Sequence, residues 1–202
     1  MFVLSDYIHE FYSVFPELDL IDTWGVPSLI EPTIIKRLPL LGDEYSINGL
    51  VAIHKTALVE ENVIFKGAVI VSAKCFIGAH AYIRGGVFFG EQCVVGPGCE
   101  VKSAAIMKNS ALAHFNFVGD SLIGSGVNME AGSIIANHFN EREDKTIYGM
   151  IDGKKTMLGV IKFGAVVGDN SKIGANAVLT PGTILAPASV VKRLELIEQT
   201  GV

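Results

Sequence analysis

From Ile53 onward an apolar residue returns at every sixth position, and that spacing limits what this chain can fold into. The series runs Ile53, Val59, Phe65, Val71, Ile77, Ile83, Phe89, Val95, Val101, Met107, Ala113 without a polar member. Two residues ahead of each member the side chain is compact: Ala57, Val63, Val69, Cys75, Ala81, Val87, Cys93, Cys99, Ala105, Ala111. Six is a multiple of the strand period of two and not of the helical 3.6, so every member keeps one face of a strand. Such a period marks a solenoid in which one short strand and one turn make each side of a triangular coil of about 18 residues. Bulky members fill the interior, and compact ones sit at the crowded corners.

The rhythm breaks once. Ala113 and Ile123 are separated by ten residues where twelve would hold the phase, and the stretch between them is the most polar of the repeat region. It resumes at Ile123, Met129 and Ile135, with Ser121, Val127 and Ser133 in the compact places. A polar insertion covers 138–157, and Asp152-Gly153 predicts a tight hairpin turn within Ile147–Leu158. The six-step restarts at Ile161 and continues through Val167, Ile173, Leu179, Leu185 and Val191. These boundaries predict an N-terminal cap segment over 1–50, a β-helix domain over 51–191 and a C-terminal cap over 192–202. In the cap segment, Ser5 is placed to start a short helix reaching Phe11 or Val14. Pro27, Pro32 and Pro39 then predict extended or turn pieces. Trp24 reads as packing of a cap over the end of the main domain. The tail VKRLELIEQTG predicts a short helix closing the open coil.

The three cysteines, Cys75, Cys93 and Cys99, all fall in the compact series, so they read as buried side chains and not as nucleophiles or ligands. A net charge of −5 with both signs interspersed argues against a nucleic-acid surface. No apolar run is long enough to span a membrane, and the first residues lack the pattern of a signal peptide. A cytoplasmic protein is expected.

A solenoid of this kind has a solid interior, so its chemistry must lie on outer faces and corners. The polar stretch reads His114-Phe-Asn-Phe117-Val-Gly119-Asp120-Ser-Leu-Ile123-Gly124, then Val127-Asn128-Met-Glu130-Ala131-Gly132-Ser133, then Asn137. Arg84 and Lys102 stand upstream, 18 residues apart, and therefore stack on one face one coil apart. This arrangement resembles the hexapeptide-repeat acyltransferases. It is most similar to the acetyltransferase domain of glucosamine-1-phosphate N-acetyltransferases. The first 50 residues are too short for the nucleotidyltransferase domain to which such domains are often fused.

The resemblance implies an all-β, left-handed parallel β-helix with a short helical or extended N-terminal cap and a short C-terminal helix. It also implies transfer of an acetyl group from acetyl-CoA to an amino-sugar phosphate or nucleotide-linked amino sugar by a homotrimer. In that reading His114 is the general base and Asn137 a donor to the oxyanion. Arg84, Lys102, Phe117 and Asn128 bind the acceptor. Ala131, Gly168, Asp169, Ala186 and Pro187 line the acetyl-CoA groove, and Lys154, Lys155, Arg142 and Lys145 are weaker candidates for its phosphates. A histidine suits the base, because its ordinary pKa lets it take an amine proton near neutral pH. The sequence departs from the family at Phe117, where tyrosine is usual, and at Glu130, where glycine is usual. The phase break is expected to bulge the chain outward and bring His114 and Phe117 round the corner toward the two cations.

Two other acyl-transfer or binding readings share the fold: an enzyme using acyl carrier protein, and an inactive sugar-nucleotide-binding protein. A zinc enzyme on the same fold needs converging histidines, and His54, His80, His114 and His138 are spread apart, so no metal is expected.

Overall fold

A computed structural model describes residues 2–201. The chain from Val51 to Ile197 winds as a parallel solenoid of seven coils, each with three short strands, giving three flat faces. Face A contains the ladder Ala52, Ile70, Phe88, Ala105, Leu122, Val166, Ile184 as its outward residues. Face B presents Leu58, Phe76, Val94, Ala111, Asn128, Lys172 and Val190. Face C presents Ile64, Tyr82, Glu100, Phe117, Ile134, Val178 and Leu196. The interior is one continuous apolar stack that includes Ile77, Ile83, Phe89, Val95, Val101, Ile123, Met129, Ile135, Val167 and Ile173. Cys75, Cys93 and Cys99 are buried in it as free thiols. Burial pushes the Cys99 thiol up, and the neighbouring Cys75 sulfur together with burial does the same to Cys93.

The phase break has a different origin from the expected bulge. Partners lie 18 residues apart up to Arg84↔Lys102, and 17 apart from Val87↔Ala104 to Phe117↔Ile134. One residue is missing at the corner holding Ser103 and one at the corner holding Asp120. Both corners join face C to face A, and both shortened turns use a left-handed residue, Ser103 (φ 47°) and Asp120 (φ 45°). Ile106 and Leu112 therefore take the interior places predicted for Met107 and Ala113, and Ala104 takes the compact place predicted for Ala105. Residues 136–164 leave the solenoid at this same corner, two coils beyond Ser103. They carry the hairpin Tyr148–Ile151/Lys154–Met157, turning at Asp152 and Gly153, which both have positive φ.

Most of the N-terminal segment covers a face of the solenoid, not its end. Leu4, Ile8, Phe11, Phe15, Leu18, Trp24, Ile30 and Ile34 pack along face A, and Phe139, Ile147, Leu158 and Phe163 of the insertion complete the cover. The whole ladder of face A is buried by them. Left bare, it would be a contiguous apolar stripe, each large side chain of which gains about 1.5–3 kcal/mol from burial. Trp24 meets Phe163 edge to face at 5.2 Å. The last part of the N-terminal segment reaches the first coil, where strand Tyr45–Asn48 pairs antiparallel with Val51–His54 at the edge of face A.

Two sequence expectations fail in this region. Helix α1 covers only Phe11–Val14, and the longer helix α2 (Val26–Arg37) runs through Pro27 and Pro32, which were expected to interrupt it. Pro27 occupies the first turn, where no backbone donor is required. Pro32 lies on the exposed side, where the Ser28 carbonyl it leaves free can be hydrated. No helix forms at 192–201. Leu196–Ile197 is a further strand, paired with Val178–Leu179, because the 18-residue step simply continues. Among the described residues, no helix is long and apolar enough to cross a membrane.

Candidate functional site

The corner between faces C and A gathers most of the chemistry. Lys66, Arg84 and Lys102 are in register as the last outward residues of face C on three successive coils, with Gly119 next in the column. One residue past Gly119 the chain turns through Asp120. Lys102 Nζ donates to both Asp120 oxygens, at 2.8 and 2.6 Å. Asn137 Nδ2 donates to the same carboxylate from the following coil. The lysine and aspartate side chains are only 16% and 10% exposed, so this pair is largely desolvated and fixed. Gly119 makes room for it. A Cβ there would meet the Asn137 amide at 2.7 Å and the Phe117 ring at 2.9 Å. Arg84 is held more loosely by Glu100, at 2.7 and 2.8 Å, in a pair about one-third exposed on each side.

His114 lies three residues before the short strand Phe117–Gly119, at the end away from Asp120. It is exposed at the corner between faces B and C, while Phe117–Gly119 crosses face C to the Asp120 corner. The His114 carbonyl accepts Gly132 N–H at 2.8 Å, and Phe115 beside it takes φ 51° with its ring in solvent. Phe117, half-buried, stands between the two corners. Asn128 is outward and exposed on face B, in register with Ala111 and Lys172. One chain thus unites Arg84, Lys102, Phe117 and Asn137 along face C, but leaves His114 one strand away and Asn128 on the next face. The shortened corners make the turn tighter, and they do not swing His114 toward the cations.

Glu130 has a structural use. Its Oε2 accepts Ala175 N–H at 2.9 Å, and Arg193 grips both carboxylate oxygens at 2.7 and 3.0 Å. The Arg193 guanidinium, then the Ala175 N–H, hold its pKa down to about 2. Glu60 repeats the device at the equivalent corner of the first coil, accepting Ala79 N–H at 2.7 Å. The Glu130 carboxylate is therefore turned toward the later coils, away from the coil of His114.

The proposed cofactor residues fall on two corners. Ala131 lies half-buried on the B/C corner, one coil after His114. Gly168, Asp169, Ala186 and Pro187 lie on the A/B corner. Asp169 is committed to the N-terminal segment: its carboxylate accepts Ser125 N–H at 2.7 Å and His9 N–H at 3.0 Å, and its own N–H donates to Tyr7 O at 2.9 Å. Ala186 and Pro187 are exposed. In the insertion, Arg142 stacks on Phe139 and pairs with Glu198 at 2.6 Å, whereas Lys154 and Lys155 are exposed on the hairpin. Among the described residues, no group of three or more histidine, cysteine or acidic side chains could hold a metal ion.

Sequence reasoning missed three participants. Asp120 was part of the motif, but its grip on Lys102 comes from the shortened step of 17, which sets Gly119 in register with Lys102 and Asp120 one residue beyond, at the turn. Lys66 continues the same column and was legible as 84 minus 18. Asn116 gave no outward sign: it is buried inside the solenoid, donating to Glu130 O at 2.8 Å and to Ser133 Oγ at 2.8 Å.

Comparison with known proteins places these residues in context. Residues 65–159 match a family model described as the GMPPB C-terminal domain. A bifunctional protein GlmU of Methanococcus vannielii is 41% identical over 92 residues, which is 46% of this chain and 22% of that protein. The chain resembles the hexapeptide-repeat acyltransferases. A bifunctional sugar-1-phosphate nucleotidylyltransferase/acetyltransferase of Sulfurisphaera tokodaii is 38% identical over 101 residues, 46% of this chain and 24% of that protein. The chain thus spans less than a quarter of the length of these curated relatives. Among solved structures, a hexapeptide transferase family protein of Anaplasma phagocytophilum aligns over 72% of each chain, with 19% identity and a TM-score of 0.43.

Proposed function

We propose that the protein is an acyltransferase that moves an acetyl group from acetyl-CoA to the amino group of an amino-sugar phosphate in the cytoplasm. The observation that carries this reading is the bracketing of one strand by the motif. His114 stands at one end, Phe117 lies on the face, and at the other end Asp120 grips Lys102 and Asn137. Both the base and the anion-binding group are thereby tied to a three-residue strand of a rigid solenoid, which suits a site that must hold two substrates in line.

The chemistry follows from the side chains. His114, exposed and with no hydrogen bond from its ring to the rest of the described chain, takes the proton of the amine as the amine nitrogen attacks the thioester carbonyl carbon. A C–N bond forms, the C–S bond breaks, and the released thiolate takes up a proton. Asn137 has a second amide hydrogen beyond the one given to Asp120, and, with His114 brought to this corner by a neighbouring copy, it supplies a donor to the carbonyl oxygen as charge develops there. Lys102 spends two of its three donors on Asp120 and keeps one for a phosphate oxygen, with Arg84 one coil away. Phe117 offers a ring face to the sugar but no hydroxyl.

Three chains would complete the site. Faces B and C are lined with exposed Leu58, Val94 and Val190, and with Ile64, Ile134 and Leu196. Face A is already covered by the N-terminal segment, so a symmetric trimer buries what remains and brings one copy's His114 corner near another copy's site. Light scattering that reports a monomer at micromolar concentration would overturn the trimer. For the reaction, free thiol is followed on mixing the protein with acetyl-CoA and a panel of hexosamine phosphates. Thiol release that depends on the acceptor, with an N-acetylated product by mass, supports the reading. Release from acyl carrier protein substrates alone would replace acetyl-CoA by a longer acyl donor, and tight acceptor binding without release would make the protein a binding module.

A further inference from the structure

Between the N-terminal segment and face A lies a cleft of about 410 Å³. It opens at the A/B corner, where Ser72, Gly90 and Lys108 follow the face A strands of three successive coils. Small-molecule pockets usually measure about 300–1,000 Å³. The solenoid lines the cleft with Ile70, Phe88 and Met107, and the segment with Val14 and Leu41, all apolar. Most of the charge at the rim is already paired. Lys108 bonds Glu10, whose other carboxylate oxygen accepts the Ser125 hydroxyl at 2.7 Å. Arg37 is held by Glu17 at 2.7 and 2.8 Å, and its guanidinium stacks 4.4 Å from the centre of the Phe15 ring. Each of these pairs is neutral. Glu91 is the charge left over on the lining: it is exposed and, among the described residues, makes no salt bridge. Tyr45, half-buried on the same lining, senses it. Burial, and after it the negative charges of Glu44 and Glu91, push the Tyr45 phenol up.

We propose that this cleft is a binding site for an apolar amine, a body of one or two rings that carries a single ammonium. The rings lie against Ile70, Phe88 and Met107, and the ammonium meets Glu91 at the mouth, beside the Tyr45 ring. An anion is disfavoured, because both rim cations already have carboxylate partners and Glu91 repels it. A fully hydroxylated sugar is disfavoured too, since the five apolar walls offer its hydroxyls no partner. The site is separate from the acyl-transfer corner and does not depend on that reading: it opens between faces A and B, whereas Lys102 stands between faces C and A. Because one wall is the N-terminal segment and the other is the solenoid, a ligand here holds the segment on face A more firmly.

The test titrates the full chain by calorimetry with three indoles of similar shape: tryptamine, 3-ethylindole and indole-3-propionate. Tryptamine is expected to bind about tenfold more tightly than 3-ethylindole, the gain expected for one charge-assisted contact. Indole-3-propionate is expected to bind more weakly than either. Tryptamine should also raise the melting temperature. Glu91→Gln changes an exposed side chain, and it should remove the advantage of tryptamine while leaving the affinity for 3-ethylindole unchanged. Leu41→Trp fills the cleft from the segment side and should abolish binding of both; if that variant does not fold, Glu91→Gln decides alone. Binding of none of the three indoles, equal affinity for the amine and the acid, or an unchanged tryptamine affinity in Glu91→Gln overturns the site.

Discussion

Replacing Asp120 by asparagine tests the structure of the site corner. The side chain keeps its shape and loses its charge. In the native corner one carboxylate receives two hydrogen bonds from Lys102 and one from Asn137, with both members of the ion pair at least 84% buried. An amide at 120 has only one acceptor oxygen, so either the ammonium or the Asn137 amide then faces another N–H donor. Breaking one side of a buried pair typically costs about 3–5 kcal/mol, and the remaining edge exposure of Lys102 brings the expectation to about 2–3 kcal/mol. The assay is equilibrium urea unfolding of wild type, Asp120→Asn, Lys102→Met and the double variant. The pair should show a coupling of at least about 1.5 kcal/mol, with the double variant recovering much of the Asp120→Asn loss because no charge is left stranded. Single variants whose costs simply add, within about 0.5 kcal/mol, would refute the claim that Asp120 fixes Lys102.

Gly86→Ala should loosen the N-terminal cover. The residue has φ 82°, and a Cβ there would meet the backbone of Glu31 in α2, so the change should cost at least about 2 kcal/mol and expose face A, read as a lower melting temperature with increased binding of an apolar dye. Glu130→Gln should alter acid stability in one window. The folded pKa of Glu130, about 2, lies below its ordinary 4.5, so its contribution is complete above pH 4.5 and is lost as pH falls toward 2. A wild-type unfolding midpoint that drops across that window more steeply than the variant's is the expected outcome, and superimposable acid limbs would count against the Arg193 pair. Phe115→Ser, on the exposed ring beside His114, should leave folding unchanged within about 0.5 kcal/mol by thermal melting, as expected for a surface position.

The interior of this fold was legible because its period is written directly in side-chain size. The corners were less so. Met107 and Ala113 are apolar and so extended the six-step by chance, hiding the fact that Ser103 had already shortened one turn and placing the break too late. The outward ladder of face A was also written at steps of 17 to 18, from Ala52 through Ile70 and Phe88 to Ala105 and Leu122, and it meant that this face needed a partner. The N-terminal segment supplies it, in a conformation that Pro27 and Pro32 argue against locally. Long-range packing against Ile70 and Phe88 overrides that local preference. The C-terminal tail is the reverse case: its composition suits a helix, but the previous coil offers Val178 and Leu179 an open edge, and Leu196 and Ile197 pair there. At the site, the residue types were readable from the motif. Their mutual placement needed the corners, and these show His114 at one edge of face C and Lys102, on the preceding coil, at the other.

The most direct test of acyl transfer compares wild type and His114→Asn, a change that keeps the corner polar and removes the base. Thiol release is measured under single-turnover conditions with acetyl-CoA and an amino-sugar acceptor, and acceptor affinity is measured separately by calorimetry. Loss of the base predicts a rate lower by about 10²–10⁴ with affinity nearly unchanged. A variant that acetylates the acceptor at the wild-type rate would contradict it.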